Sequence, residues 1–156
     1  MIGFVAAFRA EVRDVLVEIS GERGERIEEA VFHRGYLGPA HFPAVLAIAG
    51  MGPVRARASA ATLVERYRAS LLIALGTCGG LSSALPSGTL IIPSAVRSVT
   101  SGACAGPVTP DARLQEKLMQ AAASASARPV TGLLLSTERV VRTAQEKRGL
   151  ADRFGG

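Results

Sequence analysis

The residue with the clearest potential for chemistry is Glu11, which closely follows the apolar run Met1–Phe8. A nearly continuous apolar run of this length is typical of a strand that is buried on both faces. Side chains just beyond such a strand lie at the carboxyl edge of the sheet, where α/β proteins bind ligands. There a carboxylate can serve as a general base, but an acid in a first helical turn also stabilises the helix dipole. Both interpretations of Glu11 stay open at this point.

A second candidate is the glycine-rich loop Gly76–Gly80, which follows the apolar segment Ser70–Leu75. Its three glycines and two small polar side chains would let a planar ligand approach the backbone closely, and a tight turn without a ligand is the alternative. Cys78 lies in this loop, but a nucleophilic thiol needs a neighbouring base. Neither His33 nor His41 is expected near it, so Cys78 is interpreted as a small buried thiol and both histidines as structural or surface residues.

A shorter glycine turn, Gly50-Met51-Gly52, precedes a helix that Pro53 can open. Backbone N–H groups at such a turn can bind an anion or a sugar, and a plain strand-to-helix turn has the same composition. The dinucleotide-binding fingerprint is not matched, because Arg55 stands where its third glycine would be.

The elements that must position these loops alternate between strands and helices. Apolar runs and alternating patterns predict strands over Met1–Phe8, Val31–Leu37, Ala44–Ala49, Ser70–Leu75, Leu90–Val96 and Val130–Leu135. The second and third of these are expected to form a hairpin. Periodicity and capping signals predict helices over Ala10–Ile19, Val54–Ala69, Thr109–Ala127 and Thr143–Phe154. Polar or small residues predict loops over Gly21–Glu29 and Ser98–Pro107.

This alternation is typical of an α/β domain with a largely parallel sheet covered by helices. We expect strands near Ile2–Ala7, Val45–Ala49, Leu71–Leu75 and Thr131–Leu135 to share one sheet. Glu11 and Thr77 would then face a common cleft.

Composition narrows the function classes. The chain has 156 residues, 48% hydrophobic and 20% charged, which suits one globular domain and excludes a disordered chain. Its apolar stretches are far shorter than the roughly 20 residues that a membrane-spanning helix needs. Two cysteines are too few for a disulfide framework or a four-ligand zinc site. With no secretory signal recognised, we expect a cytoplasmic protein with no membrane partner.

The net charge of +5 comes almost entirely from arginine, because only Lys117 and Lys147 are lysines. Nucleic-acid binders usually combine clustered basic residues with aromatic side chains that stack on bases. Here the aromatic fraction is 4% and the arginines are spread along the chain. We therefore expect a diffusely basic surface and no nucleic-acid partner.

Four segments together resemble the nucleoside phosphorylase/nucleosidase superfamily: IGFVAAFRAEV, AGMGPVRARASAATLVERY, LIALGTCGGLSSALPSGTLIIPSAV and GLLLSTERVVRTAQEKRGLADRFG. The block LGTCGGL…PSGTLIIP is the most specific, since it is similar to a family pattern of the type TGSAGGL…VGDIVV. Within this superfamily, the sequence most resembles the methylthioadenosine/S-adenosylhomocysteine nucleosidases and the hopanoid-associated phosphorylase-like proteins. The resemblance covers nearly the whole chain. It implies a three-layer phosphorylase/hydrolase-like α/β fold with a central mixed, largely parallel sheet.

The resemblance also implies roles at matching positions. Glu11 corresponds to the glutamate that positions and deprotonates the attacking water in nucleosidases. Thr77 corresponds to the residue whose hydroxyl contacts that water, or phosphate in the phosphorylases. Cys78 and Gly79 match the turn that lies against the base and sugar.

Two further segments acquire roles in the same way. Met51 lies in the loop that matches the turn beside the nucleophile. Val140 and Val141 match a segment whose backbone groups touch the purine edge. The implied partner is a small purine nucleoside, with no metal and no cofactor, and a homodimer is an open possibility for the assembly.

Hydrolysis and phosphorolysis both remain possible from the sequence. Glu11 favours water because a carboxylate would repel an incoming phosphate. Phosphate would then be the co-substrate only if Arg9, Arg55 and Arg139 gathered around it.

The chain also departs from the family pattern. The family's ribose-binding Met-Glu pair and its leaving-group Asp belong to segments beyond the last helix of this sequence, and Thr137 and Glu138 replace Gly and Asp of a Ser-Gly-Asp motif. Residues 1–156 are therefore expected to form a single incomplete domain, truncated after the last helix. Loss of a leaving-group acid typically costs 10²–10⁴-fold in rate. We expect purine nucleoside cleavage that is slow or absent, or a purine-binding remnant without catalysis.

Overall fold

A five-stranded mixed sheet forms the first half of the protein. The computed structural model describes residues 1–99 and 106–154, and its contacts divide the chain into two units, Met1–Cys78 and Gly79–Gly156. In the first unit the strands are β1 (Ile2–Ala6), β2 (Ile19–Ile27), β3 (Ala30–Leu37), β4 (Phe42–Ile48) and β5 (Leu71–Ala74). Its helices are a 3₁₀ turn (Arg9–Val12), α1 (Arg13–Val17) and α2 (Pro53–Glu65).

The strand order is β2-β3-β4-β1-β5. β1 is parallel to both β4 and β5, with Phe4 opposite Leu46 on one side and Ile73 on the other. β3 runs antiparallel to β2 and β4, so the predicted hairpin is confirmed. Because β1, β4 and β5 all point the same way, their carboxyl ends meet at one edge of the sheet.

β4 lies at the centre of this core. Its residues 44–47 have no exposed surface, and alternate members pack on opposite faces of the sheet. Ala44 and Leu46 join the cluster that contains Val12 and Leu16, whereas Val45 and Ala47 join the cluster around Phe32 and Leu63. A strand covered on both faces reads as a continuous apolar run, and this is why the sequence predicts it so clearly.

Two predictions near the N-terminus are wrong. The helix expected over Ala10–Ile19 is only a 3₁₀ turn followed by the five-residue α1, because Ile19 is already buried in the sheet as the start of β2. The loop expected over Gly21–Glu29 is most of β2. β2 is an edge strand paired only with β3, and charged side chains are common on such edges because they discourage further strand pairing.

The second unit contains a parallel pair of strands and two helices. These are β6 (Ala95–Val99), α3 (Ala112–Ser124), β7 (Leu133–Thr137) and α4 (Ala144–Phe154). Since β7 pairs with β6 in a separate two-stranded sheet, the expectation of one shared sheet holds for β1, β4 and β5 but not for the fourth strand.

Boundaries in the second unit shift as well. Ile91 and Val130, expected within strands, form only an isolated bridge with each other. Helix α3 begins later than the predicted start at Thr109, and Asp111 caps it, because the Asp111 carboxylate accepts a hydrogen bond from Leu114 N at 2.8 Å. The predicted loop Ser98–Pro107 begins inside β6, and residues 100–105 of it lie outside the described residues.

Within residues 1–99 and 106–154, no helix is long and apolar enough to cross a membrane. The same residues contain no group of three or more His, Cys, Asp or Glu side chains placed to hold a metal ion.

Gly35 provides a test of the packing between β2 and β3. A Cβ atom at this position would lie 2.5 Å from both Ile19 Cγ2 and the Ser20 carbonyl oxygen. We expect Gly35→Ala to lower the free energy of unfolding in urea by about 1–3 kcal/mol, the usual effect of overpacking. Gly24→Ala on the neighbouring strand is the matched control, because its new Cβ would meet nothing closer than 3.8 Å. Equal stability of the two variants would contradict this account of the packing.

Candidate active site

Glu11 and Thr77 meet at the carboxyl edge of the first unit's sheet. Thr77 donates two hydrogen bonds to Glu11 Oε1, from its backbone N–H at 2.9 Å and from its hydroxyl at 2.8 Å. The backbone N–H of Phe8 donates to Glu11 Oε2 at 3.1 Å. Glu11 and Thr77, which are expected to face a common cleft, are therefore in direct contact with each other.

The sheet explains this meeting. Glu11 lies on the 3₁₀ turn after β1, and Thr77 comes three residues after the end of β5, which is the parallel neighbour of β1. Beyond the end of β5, Leu75 N donates to Val5 O at 2.9 Å, so the segments that follow β1 and β5 run side by side up to the site. A Cβ atom at Gly76 would lie 3.2 Å from Glu11 Oε1, so glycine at this position leaves room for the carboxylate.

The surroundings of Glu11 favour its ionised form. Burial raises the pKa of its carboxyl, but the hydrogen bonds from Thr77 and Phe8 outweigh burial and bring the pKa below its ordinary value of 4.5. Glu11 is therefore a carboxylate at neutral pH and acts only as an acceptor. Because Thr77 supplies both of its bonds to Oε1, Oε2 is the oxygen with more room for another donor.

Met51 lies at the same edge of the sheet. Its turn follows β4, and Gly50 N donates to Ala7 O at 3.1 Å, which ties the turn to the segment that leads into Glu11. Gly50 and Gly52 have φ values of +79° and +110°, a region that favours glycine. The Met51 side chain is 56% exposed and lines a groove of about 660 Å³ that lies between α2 and the turn joining β2 to β3.

The other predicted site residues lie further along the chain. Cys78 is the last residue of the first unit, and its exposure shows that the expectation of a small buried thiol is wrong. Gly79 opens the second unit, where a Cβ atom on it would lie 3.3 Å from Lys147 Nζ. Val140, which is 52% exposed, and the half-buried Val141 lie in the loop between β7 and α4. The structure thus brings Glu11 and Thr77 together in the first unit. The Met51 turn lies at the same edge of that sheet, but the groove that Met51 lines includes neither Glu11 nor Thr77. Val140 and Val141 belong to the second unit.

Two of the three arginines considered for a phosphate cluster are already paired. Arg55 forms an ion pair with Glu29 at 2.6 Å, and Arg139 forms one with Glu146 at 2.6 Å. Their guanidinium groups are thus engaged by carboxylates within the protein.

Sequence inspection missed the wider role of Glu146. The spacing of Thr143 and Glu146 in the sequence indicates only a helix-capping pair, whereas the structure adds the pair with Arg139, seven residues away. No local spacing rule signals a contact of that kind across a loop. His33 is buried and pairs with Glu22, which confirms its interpretation as a structural residue.

Comparison with curated proteins finds relatives that are nucleosidases by name. The chain is 30% identical over 95 residues to the 5′-methylthioadenosine/S-adenosylhomocysteine nucleosidase of Buchnera aphidicola, covering 61% of this chain and 37% of that protein. It is 29% identical over 96 residues to the protein of the same name from Shewanella oneidensis, covering 62% and 40%. The matched segments thus span well under two thirds of the relatives' own length.

Solved structures show the same fold. The methylthioadenosine/S-adenosylhomocysteine nucleosidase of Neisseria meningitidis superimposes with a TM-score of 0.90 at 21% identity, covering 99% of this chain and 71% of that one. Futalosine hydrolase of Helicobacter pylori gives a TM-score of 0.88 at 15% identity, with 99% and 71% covered. These similarities confirm the α/β fold class with its mixed central sheet. The family model described as Phosphorylase superfamily matches residues 1–156, and the chain belongs to that superfamily.

Proposed function

We propose that this chain contributes the water-activating part of a purine nucleosidase, acting on nucleosides of the methylthioadenosine or S-adenosylhomocysteine type. The observation that carries the proposal is the ionised Glu11, held by two hydrogen bonds from Thr77 and one from Phe8. The names of the curated relatives support this substrate class. Further support comes from structural neighbours crystallised with methylthio-immucillin-A and with adenine.

Glu11 would bind and activate the water. A water molecule can donate a hydrogen bond to the Oε2 atom of Glu11 and so be oriented toward the anomeric carbon of the sugar. As the bond from the sugar to the purine nitrogen breaks, its electron pair leaves with the purine, and the sugar acquires oxocarbenium character. The water oxygen then bonds to the anomeric carbon, and its proton passes to Glu11.

Thr77 would keep the base in place. Its hydroxyl and N–H both donate to Oε1, so they restrain the carboxylate without using Oε2. The lone pairs of its hydroxyl oxygen are then available to accept a hydrogen bond from the water or the sugar. The chemistry of Glu11 and water needs no cofactor.

The remaining predicted residues would bind the substrate. The backbone from Thr77 to Gly79 can approach the base and sugar, because Gly79 lacks a side chain. Val140 and Val141 would present backbone groups to the purine edge. Met51 would lie beside the nucleophile, at the same edge of the sheet as Glu11.

Hydrolysis is favoured over phosphorolysis. An ionised Glu11 would repel phosphate, and Arg55 and Arg139 are engaged by Glu29 and Glu146. Phosphorylases would be expected to surround their phosphate with uncommitted arginines.

Ligand binding is the first test. We expect adenine and methylthioadenosine to raise the Tm of the chain, because a ligand bound only to the folded state stabilises it by mass action. Differential scanning fluorimetry with millimolar ligand measures this shift, with cytosine as the control base. A shift with cytosine and none with either purine would contradict the proposed substrate class.

Catalysis is the second test. Glu11→Gln keeps the size of the side chain but removes the base, and we expect it to lower the rate of adenine release by at least about 10²-fold. Single-turnover assays with protein in excess measure the rate, and adenine binding serves as the check of folding. Glu18→Gln, an exposed position on the same segment, is the matched control and should leave the rate unchanged.

The same assay separates the two reactions. We expect release of the free sugar at a rate that does not depend on added phosphate. A rate that needs phosphate and yields the sugar 1-phosphate would show a phosphorylase, and a rate indifferent to Glu11→Gln would remove Glu11 from the mechanism.

A further inference from the structure

The loop between β7 and α4 is tied to the helix by one carboxylate. Glu146 Oε2 accepts hydrogen bonds from Arg142 N at 3.0 Å, from Thr143 N at 3.1 Å and from the Thr143 hydroxyl at 3.1 Å. Its other oxygen accepts a hydrogen bond from Arg139 Nη1 at 2.6 Å. Glu146 therefore holds three of the residues from 139 to 143.

The loop is fixed on both sides of the two valines. On the strand side, the Thr137 hydroxyl donates to Arg139 O at 2.8 Å. On the helix side, Thr143 caps α4, because its hydroxyl oxygen accepts a hydrogen bond from Glu146 N at 3.1 Å. Between these points, the backbone groups of Val140 and Val141 make no hydrogen bond to any described residue. They are the groups that the loop leaves available for a ligand.

A helix cap alone does not account for this arrangement. The reciprocal bonds between Thr143 and Glu146 already provide hydrogen-bond acceptors for backbone N–H groups at the start of α4. The contact with Arg139 reaches back over Val140 and Val141 and adds nothing to the cap. Since the Arg139 side chain is 77% exposed, this ion pair is also expected to add little to overall stability.

The bond between Arg139 and Glu146, called the tie below, does not change with pH in the range used for assays. The Thr143 backbone N–H, Arg139 and the Arg142 backbone N–H bring the pKa of its carboxyl down to about 2. Glu146 is therefore ionised at every pH at which the protein would be assayed, and the tie does not act as a pH switch.

We infer that Glu146, through its bond to Arg139, is a positioning residue for purine recognition, since it holds the backbone of Val140 and Val141 in the conformation that binds the base. The inference rests on the proposed function, because it takes the purine edge as the ligand of these groups. A loop held in its bound conformation loses less entropy when the ligand arrives. Without the tie, the same contacts would form at a greater entropic cost and adenine would bind more weakly.

Arg139→Gln is the decisive variant, because it removes the tie and leaves the cap between Thr143 and Glu146 intact. We expect its Kd for adenine, measured by calorimetry, to rise about tenfold, while its Tm stays within a degree or two of the unaltered chain. Arg148→Gln, an exposed position on α4, is the matched control and should change neither quantity.

Glu146→Gln and the double variant complete the test. Glu146→Gln should weaken adenine binding at least as much as Arg139→Gln and should also lower Tm, because it disturbs the cap. In Glu146→Gln, the further change Arg139→Gln should cost nothing more, since the two residues act through one bond. For cleavage of methylthioadenosine, Arg139→Gln should raise KM and leave kcat within about twofold.

The outcomes distinguish this inference from the proposed function. If the unaltered chain binds no purine, the proposed function fails and the inference fails with it. If the unaltered chain binds adenine and Arg139→Gln binds it equally well, the inference alone is overturned. A loss of Tm that matches the loss of affinity in Arg139→Gln, or a fall in kcat at unchanged KM, would also overturn it.

Discussion

The hydrogen bonds from Thr77 to Glu11 are the interaction on which the candidate site depends. They join residues that are 66 positions apart, and they do so because β1 and β5 are parallel neighbours. A half-buried carboxylate loses hydration, and the three donated bonds compensate for that loss by favouring the charged form. If this contact were absent, Glu11 would be an ordinary acid in a first helical turn. Glycine would then not be needed at position 76 to leave room for the Glu11 carboxylate.

The rest of the first unit can be understood as the support for that contact. β4 and β1 pack on both faces of the sheet, so their carboxyl ends are held firmly where Met51 and Glu11 follow them. Gly50 and Gly52 take positive φ values that turn the chain from β4 into α2. In the second unit, a side chain rather than a strand end holds the candidate binding loop. Glu146 bonds to residues on either side of Val140 and Val141.

Much of this arrangement could be predicted from the sequence, and the failures have physical causes. β1, β4 and β5 are continuous apolar runs because they are buried on both faces, and the strand-end rule then places Glu11 beside Thr77. β2 was missed because an edge strand is largely solvent-exposed and carries a loop-like composition. The bond between Arg139 and Glu146 crosses an irregular loop, where no periodicity relates sequence separation to distance.

The charge state of Glu11 can be measured by a site-specific NMR titration of its carboxyl carbon. We expect a pKa below the ordinary value of 4.5 in the unaltered chain. We also expect a higher pKa in Thr77→Ala, which loses the hydroxyl donor but keeps the backbone N–H. A Glu11 carboxyl that titrates at or above 4.5 in the unaltered chain, or one that does not respond to Thr77→Ala, would contradict the account.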